Sequence, residues 1–240
     1  MDCLFLIIPA YNESENIEKL IDEWYPVVEK HNGGGNSRMV LIDDGSKDQT
    51  YPLICQCAAD RPLLIPLTKE NGGHGAAVLY GYRYALEQKA DYIFQTDSDR
   101  QTLPEEFEGF WNERKKYDMV IGWRRNREDG LSRVFVTRVL RLVVRIFFKV
   151  DVQDANTPYR LMNAETMRKY MDLIPENYHL SNVLLSVIYH KKNCSIKFIP
   201  VTFRPRQGGS NSINLKKICR LGWQAAGEFR RLNKRLDQAR

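Results

Sequence analysis

Four short apolar runs, each followed at once by carboxylates, glycines or amides, constrain most strongly what this chain can fold into. They are residues 4–9, 39–42, 63–67 and 92–95, and stretches with helical spacing separate them. An alternation of strands and helices predicts a parallel, doubly wound sheet, which binds ligands beyond the carboxyl ends of its strands. Every acidic and glycine-rich motif of the first half falls at that edge.

The spacing also predicts the helices between these strands and a less regular second half. Asn12 or Ser14 is expected to cap the first helix, whose apolar positions begin at Ile17. The other predicted helices span residues 48–59, 76–88, 131–149, 163–172, 180–190 and 215–236, and further strands are predicted at 119–122 and 195–203. Residues 208–212 are predicted to form a loop.

Composition favours one large cytosolic domain with an anionic partner. The 240 residues are 43% apolar, and 36 Lys and Arg against 30 Asp and Glu leave a net charge of +6, concentrated in residues 123–149 and 216–240. Nucleic acid, acidic lipid and nucleotide phosphate all suit this charge. The five cysteines have no zinc-site spacing, and neither a signal peptide nor a transmembrane helix is predicted.

The motif Asp97-Ser98-Asp99 places two carboxylates one residue apart after an apolar run. Such a pair can hold a hard divalent cation against a phosphate. Taken alone, carboxylates at a strand end are more often solvated turn formers. Further motifs, in a consistent order along the chain, favour the metal-binding interpretation.

Three of these motifs are Pro9-Ala10-Tyr11-Asn12-Glu13, Asp43-Asp44-Gly45-Ser46-Lys47-Asp48-Gln49-Thr50 and Asn71-Gly72-Gly73-His74-Gly75-Ala76-Ala77. With Asp97-Ser98-Asp99 they resemble the motif series of family 2 inverting glycosyltransferases of the GT-A fold. The later segments 154–161 and 206–210 resemble the branch of dolichyl-phosphate mannose synthases and bacterial polyprenyl-phosphate glycosyltransferases. The resemblance implies a Rossmann-like, mostly parallel sheet flanked by helices, with amphipathic helices at the acceptor side. The GT-A domain would span residues 1–215, and residues 216–240 would form a basic helical extension.

The resemblance implies a UDP- or GDP-linked sugar as donor. Tyr11 would lie against the base, Asp44 would accept a hydrogen bond from it, and the glycine-rich loop would let backbone approach the phosphates at a helix N-terminus. An ordinary strand-to-helix turn with capping residues is the alternative interpretation of the first loop. The implied donor-binding residues are Pro9, Tyr11, Glu13, Asp44, Gly73, Gly75 and Asp97.

The resemblance also implies a Mg²⁺ or Mn²⁺ ion and names the catalytic residues. Asp99 and Gln101 are the expected ligands, with Asp97 on the metal or the sugar, and Arg206 would hold the departing nucleoside diphosphate. Asp154 would orient acceptor or sugar, or act as base in a hydroxyl-directed enzyme. Other residues have less specific expectations. Arg100 departs from the apolar residue frequent in relatives, Arg160 is structural or a phosphate clamp, and residues 208–212 act as a lid. The four histidines are expected to be structural or at the surface, with His74, near the donor phosphate, as a minor exception.

The acceptor would be bound by basic residues. Arg124, Arg133 and Thr137 match positions that relatives use for an acceptor phosphate, and guanidinium groups suit a phosphate monoester. In the helix predicted at 131–149, four basic residues fall within an arc of about 80°, namely Arg138, Arg141, Arg145 and Lys149, and the remaining surface is largely apolar. This pattern favours an interfacial amphipathic helix over a buried core helix.

Three functions remain in view. The first is metal-dependent transfer of a sugar to polyprenyl phosphate by a peripheral enzyme at the cytoplasmic membrane face, with a membrane-anchored partner or homo-oligomer as a means of attachment. The second is a glycosyltransferase acting on a sugar hydroxyl, with Asp154 as base. The third is a non-catalytic nucleotide or nucleic-acid binding module, against which Asp97, Asp99, Gln101 and Arg206 argue. We expect no nucleic-acid partner.

Overall fold

A computed structural model describes residues 2–124, 131–204 and 229–238, without the side chains of Arg124 and residues 131–138. The chain alternates strands and helices in its first half, as predicted. The elements are β1 (Leu4–Ala10), α1 (Ile17–Lys30), β2 (Arg38–Asp43), α2 (Thr50–Ala58), β3 (Leu64–Thr68), α3 (His74–Glu87), β4 (Tyr92–Gln95), α4 (Phe107–Trp111), β5 (Met119–Arg124), α5 (Leu131–Phe148), β6 (Arg160–Asn163), α6 (Ala164–Tyr170), α7 (Ser181–Lys191) and β7 (Ile196–Val201). Residues 229–238 are also helical.

The strands form one seven-stranded sheet in the order β3-β2-β1-β4-β6-β5-β7. All neighbours are parallel except β6, which is antiparallel to both β4 and β5. The predicted mostly parallel sheet is therefore confirmed. Because β6 runs in the opposite direction, its first residue, Arg160, pairs with Gln95 at the carboxyl end of β4. The segment before β6 thus lies at the edge that carries Asp97.

The sheet separates two apolar layers, as the near-continuous burial of its strands requires. In β1, Phe5 and Ile7 face the layer that contains α3, α5, α6 and α7, whereas Leu4, Leu6 and Ile8 face the layer of α1, α2 and α4. Every residue of β1 is buried. This buried central strand therefore fixes the position at which the following loop, residues 11–16, leaves the sheet.

The first helix begins later than its predicted caps. Asn12 has a left-handed backbone, with φ of 53°, and its Oδ1 accepts from the backbone N–H of Lys47 at 2.8 Å. The backbone N–H of Ser14 donates to Asp48 Oδ2 at 3.1 Å. Both predicted caps are therefore wrong, because these residues tie the loop after β1 to the loop after β2, and α1 starts only at Ile17.

The basic C-terminal helix is only partly described. In residues 229–238, Phe229, Leu232 and Leu236 are buried, and the Phe229 ring lies 5.1 Å from that of Phe148 on α5, centroid to centroid. This face of the helix therefore packs on the domain and is not a solvated extension. The predicted loop 208–212 and the predicted helix up to residue 228 lie outside the described residues, so the boundary at residue 215 stays a prediction.

Helix α3 approaches the sheet closely at Gly81, which provides a test of this packing. A Cβ there would lie 2.5 Å from Ile7 Cγ2 and 2.8 Å from Ile42 Cδ1. We expect Gly81→Ala to lower the free energy of unfolding by about 1–3 kcal/mol through overpacking. Gly109→Ala on α4 is the control, since nothing lies within 4 Å of its Cβ position, and it should stabilise by about 0.5–1 kcal/mol. Urea unfolding that gives the two variants equal stability would contradict this packing.

Candidate active site

Polar side chains gather where β1, β2, β3 and β4 end, at one edge of the sheet. Asp44 follows β2, Lys69 follows β3, and Asp97 lies two residues beyond β4. Parallel neighbours bring these strand ends together, since β1 pairs with both β2 and β4. The edge predicted to bind ligand is therefore the edge where the motif residues converge.

Asp44 organises the glycine-rich loop 72–75. Its carboxylate is buried, at 3% exposure, and Oδ1 accepts from the backbone N–H of Gly72 and from Lys69 Nζ, both at 2.9 Å. Oδ2 accepts from the backbone N–H of Gly73 at 2.7 Å. These charge-assisted bonds fix the backbone of the loop. The contact of Asp44 with a nucleobase stays a prediction.

The loop needs its glycines for two different reasons. Gly73 has φ of 84°, which side-chain-bearing residues rarely adopt. At Gly75 a Cβ would lie 2.3 Å from the carbonyl oxygen of Tyr178 and 2.5 Å from that of His179. The loop is therefore pressed against the segment that leads into α7, and α3 begins directly beyond Gly73 with its N-terminus at the site. A helix N-terminus favours the negative charge of a phosphate.

Asp97 is paired with His74 across the site. His74 Nε2 and Asp97 Oδ1 are 2.8 Å apart. Desolvation of the ring opposes its charged form, but the Asp97 carboxylate outweighs that effect, so the pKa of His74 is raised. The sequence analysis set His74 apart as a minor exception near the donor phosphate, and its pairing with the predicted catalytic carboxylate Asp97 is more specific than that expectation.

Asp99 and Gln101 are held in one turn beyond Asp97. The backbone N–H of Gln101 donates to Asp99 Oδ1 at 3.2 Å, and Gln101 Nε2 donates to the carbonyl of Arg204 at 2.9 Å. The backbone N–H of Arg204 returns a bond to the Gln101 carbonyl at 2.8 Å. The chain just before Arg206 is therefore tethered to the acidic motif. Arg206 itself lies outside the described residues.

These side chains offer oxygen donors that suit a hard divalent cation. Asp97 and Asp99 supply carboxylates, and the bond from Gln101 Nε2 to Arg204 leaves Oε1 as the amide atom of ligand type. In the parts of the chain that the structure describes, no three His, Cys, Asp or Glu side chains are grouped to hold a metal by themselves. The set therefore fits an ion that completes its coordination with phosphate oxygens of a substrate, as is usual for Mg²⁺.

Asp154 lies in the segment just before β6 and is 5% exposed. The fully buried Arg160 donates to the carbonyl oxygens of Ala155, at 3.2 Å, and of Thr157, at 2.5 Å. These bonds favour the structural role of Arg160 over the phosphate clamp. The segment directly after Asp154 is thus held by the guanidinium group of Arg160.

The remaining donor residues line the loop after β1. Pro9 is in β1, Tyr11 is 44% exposed, and the carboxylate of the buried Glu13 accepts from Asn16 Nδ2 at 2.9 Å. An exposed ring at this edge suits stacking on a base, which stays a prediction. Of the acceptor residues, the structure gives only the backbone: Arg124 ends β5, and Arg133 and Thr137 lie in α5.

One site residue, Lys69, was missed in the sequence, and the partner of another, His74, was not predicted. Lys69 pairs with Asp44, and His74 pairs with Asp97. Lys69 had a usable signal, because it lies two residues beyond the predicted strand 63–67 and so falls at the same edge as Asp44. His74 was placed near the donor phosphate by its position in the glycine-rich motif, but its contact with Asp97 was not foreseen.

The family model described as "Glycosyl transferase family 2" matches residues 5–178, which include every described motif at this edge. The chain belongs to glycosyl transferase family 2. The match ends before Arg206 and the basic C-terminal helix.

Curated relatives of this family 2 chain carry undecaprenyl-phosphate transferase names. An "Undecaprenyl-phosphate 4-deoxy-4-formamido-L-arabinose transferase" of Pectobacterium atrosepticum is 29% identical over 143 residues, 58% of this chain and 42% of that protein. The chain therefore spans less than half of that relative's length. An "Undecaprenyl-phosphate mannosyltransferase" of Micrococcus luteus is 27% identical over 217 residues, 87% of this chain and 86% of that protein.

Solved structures support the GT-A fold of this family 2 chain. A glucosyl-3-phosphoglycerate synthase from Mycobacterium tuberculosis, in complex with phosphoglyceric acid, superposes with a TM-score of 0.68 at 16% identity, over 97% of this chain and 80% of that one. The same enzyme with Mn²⁺ and UDP-glucose gives 0.67 at 18% identity, over 93% and 76%. At this level of identity the likeness establishes the fold alone.

Arg100, the departure from the family pattern, points away from the acidic motif. It has φ of 56°, and its guanidinium forms an ion pair with Glu23 of α1. The turn directly after the acidic motif therefore contains a residue with a left-handed backbone, a conformation that is costly for most side chains.

This geometry makes Arg100 a test of the turn that shapes the motif. We expect Arg100→Gly to keep donor turnover, because glycine accepts the left-handed backbone and the lost ion pair is worth only about 1 kcal/mol. Arg100→Val should lose about 1–3 kcal/mol of stability from backbone strain, with a matching loss of turnover. Thermal unfolding and donor hydrolysis measure the two effects, and equal behaviour of both variants would contradict the role of the turn.

Proposed function

We propose that this family 2 enzyme transfers a sugar from a nucleoside-diphosphate sugar to polyprenyl phosphate, with inversion, at the cytoplasmic face of a membrane. The observation that carries the proposal is the joining of two features in one domain. An acidic motif and a glycine-rich loop share one edge of the sheet, and α5 exposes a basic and apolar face. The undecaprenyl-phosphate names of the two bacterial relatives support the same acceptor.

The donor end of the proposal rests on the loop that Asp44 holds. The backbone of residues 72–75 and the N-terminus of α3 suit the diphosphate, and Tyr11 suits the base. Asp97, Asp99 and Gln101 would hold a divalent cation, which supplies charge neutralisation for the departing diphosphate. Mn²⁺ accompanies UDP-glucose in the structure of the Mycobacterium tuberculosis enzyme.

The acceptor end needs positioning more than proton transfer. A phosphate monoester is already an anion near neutral pH, so it attacks the anomeric carbon without a general base. A bond forms between that carbon and a phosphate oxygen of the lipid, and the bond to the nucleoside diphosphate breaks with the electron pair leaving on its oxygen. Arg124, Arg133 and Thr137 would bind the acceptor phosphate, Asp154 would orient the acceptor or sugar, and Arg206 would hold the leaving diphosphate.

Transfer of labelled sugar tests this function. A panel of UDP- and GDP-linked sugars, with Mg²⁺ or Mn²⁺ and undecaprenyl phosphate, should give an organic-extractable product that chelation abolishes. We expect Asp99→Asn to lower kcat by about 100-fold or more, since it weakens charge stabilisation at the site. Asp60→Asn, which removes an exposed carboxylate just beyond α2, is the matched control and should keep full activity.

Other outcomes would replace the proposal. Donor turnover with transfer only to a sugar hydroxyl, lost in Asp154→Asn, would make the chain a hydroxyl-directed glycosyltransferase. Nucleotide binding without turnover of any donor would make it a binding module.

The membrane part of the proposal rests on α5. Val139, Leu142 and Ile146 lie on one face of this helix, and Leu142 and Ile146 are 56% and 62% exposed. Arg141, Arg145 and Lys149 are exposed beside them. Apolar side chains next to cations suit the boundary between anionic headgroups and acyl chains. Among the described helices, none is long and apolar enough to cross a bilayer.

Vesicle binding tests this surface. Leu142→Glu and Ile146→Glu should each weaken binding to phosphatidylglycerol vesicles by about 10-fold, because one apolar side chain no longer enters the interface. Tyr80→Glu on α3 is the control, since that ring is 40% exposed elsewhere. Equal binding by all three variants, or equal binding to neutral phosphatidylcholine vesicles, would contradict the proposed face. A membrane-anchored partner and a homo-oligomer have no support in the relatives' names, and we propose neither.

A further inference from the structure

The guanidinium of Arg160 organises the segment that carries Asp154. Besides its bonds to the Ala155 and Thr157 carbonyls, its Nε donates to Thr157 at 3.0 Å and its Nη1 donates to the carbonyl of Asn182 at 3.0 Å. Arg160 therefore joins the segment before β6 to the first turn of α7. Ser186 Oγ adjoins the same junction: it lies 2.8 Å from the Asn182 carbonyl oxygen and 3.2 Å from the Ala155 carbonyl oxygen, and its single O–H donates to one of the two.

This guanidinium has no exposed surface, yet it lies within electrostatic range of the reaction site. Burial lowers the pKa of Arg160, and Tyr82, Asp154 and Asp97 act against that lowering. A buried cation is costly unless its hydrogen bonds and charge are both compensated. Here backbone carbonyls accept the hydrogen bonds of the guanidinium. Its positive charge is offset by the carboxylates of Asp97, on the donor side, and Asp154, on the acceptor side.

Arg160 also connects the two substrate sites through α7. Tyr178 and His179 lead into α7, and their carbonyl oxygens lie so close to Gly75 of the donor loop that a Cβ there would clash with them. Arg160 donates a hydrogen bond to the carbonyl of Asn182, in the first turn of the same helix. A shift of Arg160 would therefore move the Asp154 segment relative to the donor loop.

We propose that Arg160 is a positioning residue, which holds Asp154 at a fixed distance from the donor loop through the carbonyls of Ala155, Thr157 and Asn182. The inference rests on the proposed function, in which Asp154 orients acceptor or sugar. Arg160 touches neither substrate. Its planar fork reaches three carbonyl groups at once, whereas the compact ammonium of a lysine has a different shape and reach.

The test compares Arg160→Lys with Arg114→Lys. Arg114 is the matched control, because its guanidinium also donates to a backbone carbonyl, that of Trp111 at 2.8 Å, and pairs with Asp2. We expect Arg160→Lys to lower kcat by about 100-fold through misplacement of the acceptor side, with nucleotide affinity unchanged. Hydrogen exchange should accelerate at the amides of residues 155–157 and stay the same in α3. Arg114→Lys should change neither.

Chemical rescue separates positioning from general stability. In Arg160→Ala, millimolar guanidinium chloride should restore part of the lost kcat, whereas equimolar sodium chloride should not. Wild-type kcat in Arg160→Lys, or faster exchange spread evenly over the whole domain without rescue, would overturn the proposal. Nucleotide affinity and hydrogen exchange need no acceptor, so they test Arg160 even if polyprenyl phosphate accepts no sugar, a result that would defeat only the proposed function.

Discussion

The site depends on one reversal of strand direction, the entry of β6 between β4 and β5. Because β6 is antiparallel to both, Arg160 pairs with Gln95 and Ile121 at the edge where the acidic motif begins. The segment before β6 therefore lies beside Asp97, although Asp154 is 57 positions further along the sequence. A fully parallel arrangement would have placed the start of β6 at the opposite edge of the sheet.

Charge compensation at this edge follows a consistent pattern. Asp44 is paired with Lys69, Asp97 is paired with His74, and the buried Arg160 lies in the field of both Asp97 and Asp154. Such pairing keeps several carboxylates at one strand edge without unbalanced repulsion. The substrates of the proposed reaction add the negative charge of their phosphates. That charge would be balanced by the N-terminus of α3, a divalent cation and the arginines of the acceptor side.

Much of the fold could be predicted because its signals are local. The strands β1, β2, β3 and β4 are short apolar runs, and the residues that end them lie at the site as expected. Strand β6 was missed, since its four residues include a buried arginine and give no apolar run. The caps of α1 were wrong because Asn12 and Ser14 bond to the distant loop after β2. The roles of Lys69, His74 and Arg160 depend on contacts between distant parts of the chain, and no spacing along the sequence encodes them.

In the proposed site, one strand edge holds the donor diphosphate between the Asp44-organised loop and the acidic motif. Anomalous diffraction from Mn²⁺, in crystals grown with a nucleoside diphosphate, would locate both the metal and the diphosphate. We expect an anomalous peak among the side chains of Asp97, Asp99 and Gln101, with the diphosphate against the backbone of residues 72–75. A peak elsewhere, or a diphosphate bound away from this loop, would contradict it.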